Sequence, residues 1–503
     1  KNDPIYNAHS YHTKVPHKAI MRYILHYTEP GDVVFDGFCG TGMTGVAAQL
    51  CGDRKTVESL GYKVDDQGII YQQEDETDES GKKRTVWKPF SRLGARRAVL
   101  NDLSPAATFI AYNYNTPVDV QAFEREAKRI LKEVEEECGW MYRTLHTASF
   151  STEQRELGDE WAEKLKACKT AEEIRALLSP QSSVLGTINY TVWSDVFVCP
   201  ECTQEVVFWE AAVDKEAGKV HDEFPCPHCG ARLTKRAMDR AWVTKYDKAI
   251  GQTVRQAKQV PVLINYSVGS QRAEKEPDAF DLALIEKIEG LDISYWFPTD
   301  RMPEGYNTEQ PKVSHGLTHV HHFYTKRNLW VLGAISKLLD AKTRPVFQSI
   351  VATLCSRLVR YKGNHGNGPL SGTLYVSSLI AETRPTWVMP GKVRDFAKAF
   401  AAPSYSYVET RSTSFLRLKG HDVDYIFTDP PFGGNLMYSE LNFLWEAWLK
   451  VFTNNKPEAI ENKVQGKGLP EYQRLMTECF KEYYRVLKPG RWMTVEFHNS
   501  KNS

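Results

Sequence analysis

Residues 33–50 narrow the fold more than any other stretch. Val33-Val34-Phe35-Asp36 is a short apolar run, Gly37-Phe38-Cys39-Gly40-Thr41-Gly42 is a glycine-rich turn, and Met43 to Leu50 is a helix of small residues. A strand that runs through glycines into a helix lets the backbone pass close to a ligand. It also leaves the first N–H groups of the helix free to meet that ligand. Such a unit belongs to an α/β fold with a parallel sheet. Upstream, an amphipathic helix runs to about Tyr27 and Glu29-Pro30-Gly31-Asp32 is a turn. Downstream, Arg97 to Asp102 reads as the next strand, with Ser104 as N-cap and Pro105 as first helical residue. Residues 51–93 between them are polar and charged. Tyr62-Lys63-Val64, Gly68 to Tyr71 and Thr85-Val86-Trp87 mark an inserted β-hairpin or small sheet.

Three ligand readings of the glycine turn compete. Gly40-x-Gly42-x-x-Gly45 fits the dinucleotide fingerprint. That pattern expects a second strand ending in an acid about 20 residues on, and the early acid here, Asp53, has no strand before it. A P-loop is excluded, because no Gly-Lys-Ser/Thr follows. The third pattern, Asp-x-Phe-x-Gly-x-Gly, is that of S-adenosylmethionine loops, and Asp36, Phe38, Gly40 and Gly42 match it. On that reading Asp102 meets the two ribose hydroxyls; the bland alternative is a helix-capping acid.

Far along the chain, Asp424-Tyr425-Ile426-Phe427 reads as a buried strand entering the turn Thr428-Asp429-Pro430-Pro431-Phe432. Two prolines stiffen the backbone and remove two N–H donors. The Asp429 carboxylate and backbone carbonyls are left as acceptors beside an aromatic ring. Such a turn suits a flat ring carrying an amino group: the ring stacks on Phe432, and the amino hydrogens point at Asp429 and the Pro430 carbonyl. The exocyclic amine of adenine or cytosine is a poor nucleophile, because its lone pair is delocalised. Accepting both N–H bonds frees that pair to attack an electrophilic methyl group. Asp-Pro-Pro is also an ordinary turn, so the match draws its weight from the glycine loop. Tyr407 to Ser412 reads as the preceding strand; a helix Asn442–Val451, a helix around Tyr472–Val486 and a strand Trp492–His498 follow.

Cys199-Pro-Glu-Cys202 and Cys226-Pro-His-Cys229, with 23 residues between the pairs, read as two knuckles of a zinc ribbon over about 190–245. Four thiolates close a tetrahedral structural site, which makes His228 a bystander and disfavours zinc-dependent deamination, whose site needs an open position. The remaining six of the ten cysteines are scattered, a reducing, cytosolic pattern rather than a disulfide framework. Lys+Arg (64) and Asp+Glu (63) balance, so any basic surface is local. No apolar run approaches the roughly 20 residues of a membrane span. Val118 to about Leu145 reads as a charged scaffold helix, with similar helices over 155–178. Residues 235–312 read as irregular, and their cations Lys235, Arg236, Arg240, Lys245, Arg255 and Lys258 suit phosphate contacts or a solvated surface equally. His315, His319, His321 and His322 lack supporting Cys or acids for a metal and read as the approach to a helix that includes Leu329 to Leu339. A helix over about Val346–Tyr361, a glycine-rich loop Lys362–Gly368 and an irregular-to-helical stretch 372–402 complete the middle.

With these residues placed, the chain resembles the DNA amino-methyltransferases, and among them the adenine-specific DNA methylases that contain a zinc ribbon. Tyr11-His12-Thr13-Lys14-Val15-Pro16 is similar to the N-terminal donor-binding motif of that superfamily. The resemblance implies a Rossmann-like S-adenosylmethionine-dependent methyltransferase sheet split by a long insertion. Its donor-binding half is 1–116, its insertion and target-recognition region 117–405, and its catalytic half 406–503. It implies Asp429, Pro430, Pro431 and Phe432 as catalytic, and Thr13, Lys14, Asp36, Phe38, Gly40, Gly42 and Asp102 as cofactor-binding. Cys199, Cys202, Cys226 and Cys229 would hold structural zinc. Donor half first and catalytic half last is the order in which adenine N6 is the commoner target, reached by base flipping in double-stranded DNA. The implied setting is a prokaryotic cytoplasm, with restriction or phage-defence proteins as partners. Cytosine N4, RNA or protein glutamine as substrate, and a catalytically silent DNA-binding subunit, are the alternatives. Two departures stand out: Phe432 replaces the usual Tyr, and no acid stands near Ser412. Such a fold normally carries two strands beyond His498, so the sequence reads as part of a longer protein.

Overall fold

The structure is a computed structural model and describes residues 3–77, 83–146, 152–178, 184–363, 366–400 and 406–498. Contacts divide the chain into two compact units, Lys1–Phe123 with Arg394–Ser503, and Glu124–Val393.

The first unit is built on five parallel strands: β1 (Val33–Asp36), β2 (Arg97–Asp102), β3 (Ser406–Thr410), β4 (Val423–Thr428) and β5 (Leu487–Val495). Their spatial order is β3-β2-β1-β4-β5. Alternation along the strands separates two cores. Val34, Leu100, Tyr425 and Phe427 face α1 (His17–Tyr27) and α2 (Met43–Leu50), whose Ile20, Met21, Ile24 and Ala47 complete that layer. Phe35, Val423 and Ile426 meet Tyr483 and Val486 of α4 (Leu469–Val486); α3 (Pro105–Tyr114) adds Ala111 to the first layer. This is a doubly wound α/β sheet. The strand order reverses between β1 and β4, and in such sheets a crevice opens there, outside the carboxyl ends of the strands.

Residues 63–92 form a three-stranded antiparallel sheet, Lys63–Val64, Ile69–Thr77 and Lys83–Arg92. The expected helix Asn442–Val451 is shorter, Phe443–Leu449, because Lys450 turns left-handed (φ 61°) and caps it.

The second unit departs from its sequence reading in several places. Its sheet is organised around the 14-residue strand Leu185–Val198, which pairs with Gln259–Val268, Leu379–Thr383, Glu205–Val207, Asp239–Arg240 and Arg143–Leu145. The charged helix ends at Cys138 rather than Leu145, since Arg143–Leu145 is drawn into that sheet. Residues 235–312 are ordered. Trp242–Asp247 and Gln252–Ala257 form a hairpin, Gln259–Val268 pairs with Gln271–Lys275, and Ala279–Gly290 is a helix opened by an Asp278/Asp281 capping box. The helix expected over Val346–Tyr361 covers Arg344–Val351, and Arg360–Tyr361 is a strand paired with Gly366–Asn367, inside the stretch read as a loop. Asn364 and His365 lie outside the described residues. Within 372–402, Leu379–Thr383 is a fully buried strand. Its Glu382 carboxylate accepts from Arg327 Nε (2.7 Å) and from Trp193 Nε1 (2.7 Å).

Gly42 shows how tightly the first unit is wound. It caps α2 with φ +76°, and an added Cβ would stand 2.7 Å from the Ala111 Cβ of α3. Gly31 has φ +88° with nothing within 4 Å. Gly31→Ala is expected to cost about 1–2 kcal/mol, the left-handed penalty alone. Gly42→Ala should cost about 2–5 kcal/mol, with overpacking added. Denaturant unfolding of both variants checks this; equal losses would show that the α2–α3 contact yields.

Candidate functional site

The strand-order reversal places the end of β1 beside the end of β4, so residues almost four hundred positions apart in the chain meet. Val34 pairs with Tyr425 and Phe35 with Ile426, which brings Asp36 and the glycine turn next to the Asp429 turn. On the other side of β1, Asp36 pairs with Leu100, two residues before Asp102. A cavity of about 930 Å³, its mouth included, opens at this edge. Its walls include Thr13, Lys14, Asp36, Phe38, Gly40, Asp102, Asp429 and Pro431. Gly42, Pro430 and Phe432 are not in the lining. Gly42 sits behind it at the start of α2, Pro430 is buried, and Phe432 packs edge-to-face on Phe497 (centroids 5.2 Å, 73°).

Each acid is held differently. Asp36 accepts from Phe38 N (3.1 Å) and the Thr44 hydroxyl (2.6 Å), which folds the glycine turn back on its own strand. Asp102 accepts from Gly40 N (2.9 Å) with one oxygen and from Ser104 N (2.9 Å) with the other, tying the end of β2 to the turn after β1. Asp429 has no hydrogen-bond or ion-pair partner among the described residues. The prolines after it cannot donate, and the Pro431 carbonyl accepts from the Tyr472 phenol (2.8 Å). Burial pushes the carboxyls of Asp36 and Asp429 up to about 7 and that of Asp102 up to about 6; the Glu496 carboxylate adds to the effect at Asp429. Lys14 does not neutralise them: its ammonium donates to the backbone carbonyls of Tyr6 and His9 and so pins the N-terminal segment.

Sequence reasoning passed over part of the wall. Tyr438, six residues after Phe432, lines the cavity and meets the Thr13 hydroxyl (3.2 Å) across it. Behind it, Asn442 Nδ2 donates to Tyr11 Oη (3.0 Å) and Ser104 Oγ (2.9 Å), and Ser104 donates to Glu446 (2.7 Å). Glu458, another cavity acid, accepts from the Ser439 backbone N–H (2.9 Å) and hydroxyl (2.6 Å). Nothing local in the sequence marks these residues, because their partners are distant in the chain.

In the second unit, Cys199, Cys202, Cys226 and Cys229 converge, with Sγ atoms within 4.8 Å of one another. The spacings across the pairs, 3.9 Å for Cys199–Cys229 and 3.8 Å for Cys202–Cys226, match the roughly 3.8 Å between thiolates at about 2.3 Å from one tetrahedral ion. The two knuckles are twins. Thr203 N and Gly230 N donate back to the Cys199 and Cys226 carbonyls (both 2.9 Å), and both residues take positive φ. His228 donates to or accepts at none of the thiols and contacts the Glu205 carbonyl instead (2.9 Å). A second cluster, Asp247 with His321 and His322, answers the missing acid in the histidine run. Both Nε2 atoms reach one Asp247 oxygen at 2.7 and 2.8 Å, hydrogen-bond distances too short to flank an ion. Thr318 N donates to His322 Nδ1 (3.2 Å), which puts the proton of that ring on Nε2, toward Asp247. Hydrogen bonding accounts for this cluster.

Residues 1–88 match a family described as DNA methylase, of the N6/N4 type. No curated protein and no solved structure matches the chain. The matched stretch carries Thr13, Lys14 and the glycine turn, which form one side of the cavity. The match supports DNA methyltransferase activity and does not distinguish adenine N6 from cytosine N4. No helix among the described residues is long and apolar enough to cross a membrane.

Two outcomes follow. Carboxyls held above their ordinary range keep protons in the folded chain that the unfolded chain has released, so the ligand-free protein loses stability as pH rises from about 4 to about 7. Asp429→Asn removes one such group. Thermal unfolding should show the variant about 1–2 kcal/mol more stable at pH 8 and no different at pH 4; no gain at pH 8 would mean that Asp429 ionises freely. Metal analysis should find one divalent ion bound by the four cysteines. Cys226→Ser should release it and open residues 196–240 to hydrogen exchange while β1 and β4 stay protected; retention of the ion would count against the cluster.

Proposed function

We propose that this chain is an S-adenosylmethionine-dependent DNA methyltransferase acting on adenine N6 in a flipped-out base, with zinc in the four-cysteine ribbon. The observation that carries the reading is the charge of the cavity. Asp36, Asp102 and Asp429 face it with no cation partner among the described residues, and it would repel the pyrophosphate of a dinucleotide. A donor carrying a sulfonium and an ammonium group complements it.

The chain's own residues then have defined tasks. Gly40, free of a Cβ, lets the backbone lie against the donor, and Asp102 is placed at the ribose. Thr13 and Tyr438 stand across the cavity from each other. Bound there, S-adenosylmethionine supplies an activated methyl: the amine nitrogen bonds that carbon as the carbon–sulfur bond breaks onto sulfur. Asp429 and the Pro430 carbonyl accept the amine hydrogens and draw the nitrogen toward tetrahedral geometry, and the Asp429 carboxylate stabilises the positive charge that develops there. The released proton leaves to Asp429 or water. Phe432, braced on Phe497, offers a ring for the base to stack on, a contact worth about 1–3 kcal/mol against the unstacking cost. Only an ionised Asp429 stabilises that charge and takes up the proton, so the methylation rate should fall as pH drops below about 7. Adenine is preferred over cytosine because of the donor-first, catalytic-last order. Target recognition by 117–405 and a restriction or phage-defence setting in a prokaryotic cytoplasm are part of the same proposal.

Mass spectrometry of nucleosides from DNA incubated with labelled S-adenosylmethionine tests it, and label in N6-methyladenine is expected. Asp429→Ala should abolish transfer while calorimetry shows donor binding largely kept. Methylation persisting in that variant would sink the mechanism; label in N4-methylcytosine would change the base and keep the chemistry.

A further inference from the structure

The second unit contains a hollow of opposite character. About 830 Å³ of space, its mouth included, lies among the hairpin Trp242–Asp247/Gln252–Ala257, the helix Ala279–Gly290 and the start of the helix Lys326–Leu338. It continues into an outer hollow of about 1360 Å³ through shared walls at Lys245, Gln256, Glu289, Lys326 and Arg357. The inner lining carries four cations, Lys245, Lys326, Arg327 and Arg357, against two carboxylates, Glu289 and Glu382. Arg327 and Glu382 cancel as a buried ion pair. Among the described residues, Lys245, Lys326 and Arg357 have no carboxylate within ion-pair distance. Lys326 donates to the Glu289 carbonyl (2.6 Å) and Arg357 to Gln259 Oε1 (2.6 Å). Lys245 stands at the exposed rim and Lys326 and Arg357 are half-buried; desolvation lowers all three below their ordinary range, and the Glu289 carboxylate offsets part of it.

Two further features point to an anion. Gln256 is only 5 % exposed, and its Nε2, in the wall of the hollow, has no hydrogen-bond partner. A buried amide donor left unmet costs about 1–3 kcal/mol, which a bound acceptor would recover. The helix Lys326–Leu338 also starts without a side-chain cap, because the Thr325 hydroxyl turns to Glu382. Its first N–H groups and the positive end of its dipole are therefore left at the hollow, where Thr325, Lys326 and Arg327 form the wall. Trp193, Ile285 and Ile288 supply an apolar side to the same space.

We propose that this hollow binds a small phosphate-bearing molecule of nucleotide size. The phosphate sits among Lys245, Arg357, Gln256 Nε2 and the start of the Lys326–Leu338 helix, and the organic part lies toward Trp193. The apolar side at Trp193, Ile285 and Ile288 is a wall that a bare phosphate would leave unused.

Calorimetry on the full chain, in saturating S-adenosylhomocysteine to fill the cavity at Asp429, tests this with AMP, ATP, inorganic phosphate and a short DNA duplex as probes. Saturable one-to-one binding of AMP or ATP is expected, tighter than that of inorganic phosphate. Gln256→Glu, which keeps the size of the side chain and reverses its appeal to an anion, should weaken it by about tenfold or more. Lys245→Ala, at an exposed position that does not support the fold, should do the same. Nucleotide binding unchanged in both variants would overturn the proposal. So would the absence of saturable nucleotide binding, and so would protection of these residues by duplex DNA alone, which would make the cations a DNA-facing surface instead.

Discussion

Three carboxyl groups stand at the C-terminal ends of three neighbouring parallel strands, with no cation among the described residues to neutralise them. Asp36 ends β1, Asp102 ends β2, and Asp429 follows β4. Burying like charges together is costly, and the structure meets the cost by different means at each. Asp36 and Asp102 are given backbone and hydroxyl donors, and those bonds shape the glycine turn: Asp36 draws in Phe38 and Thr44, and Asp102 holds Gly40. Asp429 is given none, and two prolines ensure that the turn itself supplies none. The acids that are satisfied are thus the ones that build the cavity, and the unsatisfied one is left for whatever enters it.

This arrangement depends on the sheet rather than on the local chain. A parallel sheet aligns the carboxyl ends of its strands on one edge, whatever their separation in sequence. The chain leaves after α3 and comes back to the same edge at β3, and closing a loop adds free energy only slowly with its length. A long insertion between the two halves therefore leaves the geometry of the edge intact. The 63–92 sheet is a smaller case of the same tolerance, and it undoes one argument from spacing. An acid about 20 residues after the glycine turn is not to be expected when the next strand is delayed to Arg97–Asp102. Asp102 ends that strand whichever ligand is bound, so the charge of the cavity discriminates between ligands where the spacing does not.

What could be read from the sequence follows the range of the interactions. The β1 turn, the Asp429 turn and the four cysteines are short patterns in which backbone stereochemistry or ligand chemistry restricts the residues locally. The elements that escaped are those defined by distant partners. Trp242–Asp247 has few buried residues on either face, so it shows no apolar alternation. Leu379–Thr383 is five residues long and includes Glu382, whose charge argues against a buried strand until Arg327 is placed 55 residues away. The histidine run lacked an acid because Asp247 lies 74 residues before His321. In the cavity, the same reasoning located Thr13, Asp36, Gly40, Asp102 and Asp429 but missed Tyr438 and Glu458, which sit on the segment after the Asp429 turn and carry no motif.

The two hollows can be compared by what each leaves uncompensated. A folded chain pairs buried charge wherever it can, as Arg327 and Glu382 do, because one partner without the other is strongly destabilising. At the Asp429 edge the surplus is negative, and in the second unit it is positive, with an unmet amide donor beside it. Packing does not require either surplus: an apolar residue at Lys245 or a donor beside Asp429 would remove it. Groups kept against that gradient are the strongest physical indication of which ligand a site accepts. By that measure the proposed cation-bearing donor suits the first cavity and the proposed anion the second, and the two would not compete for a single set of charges.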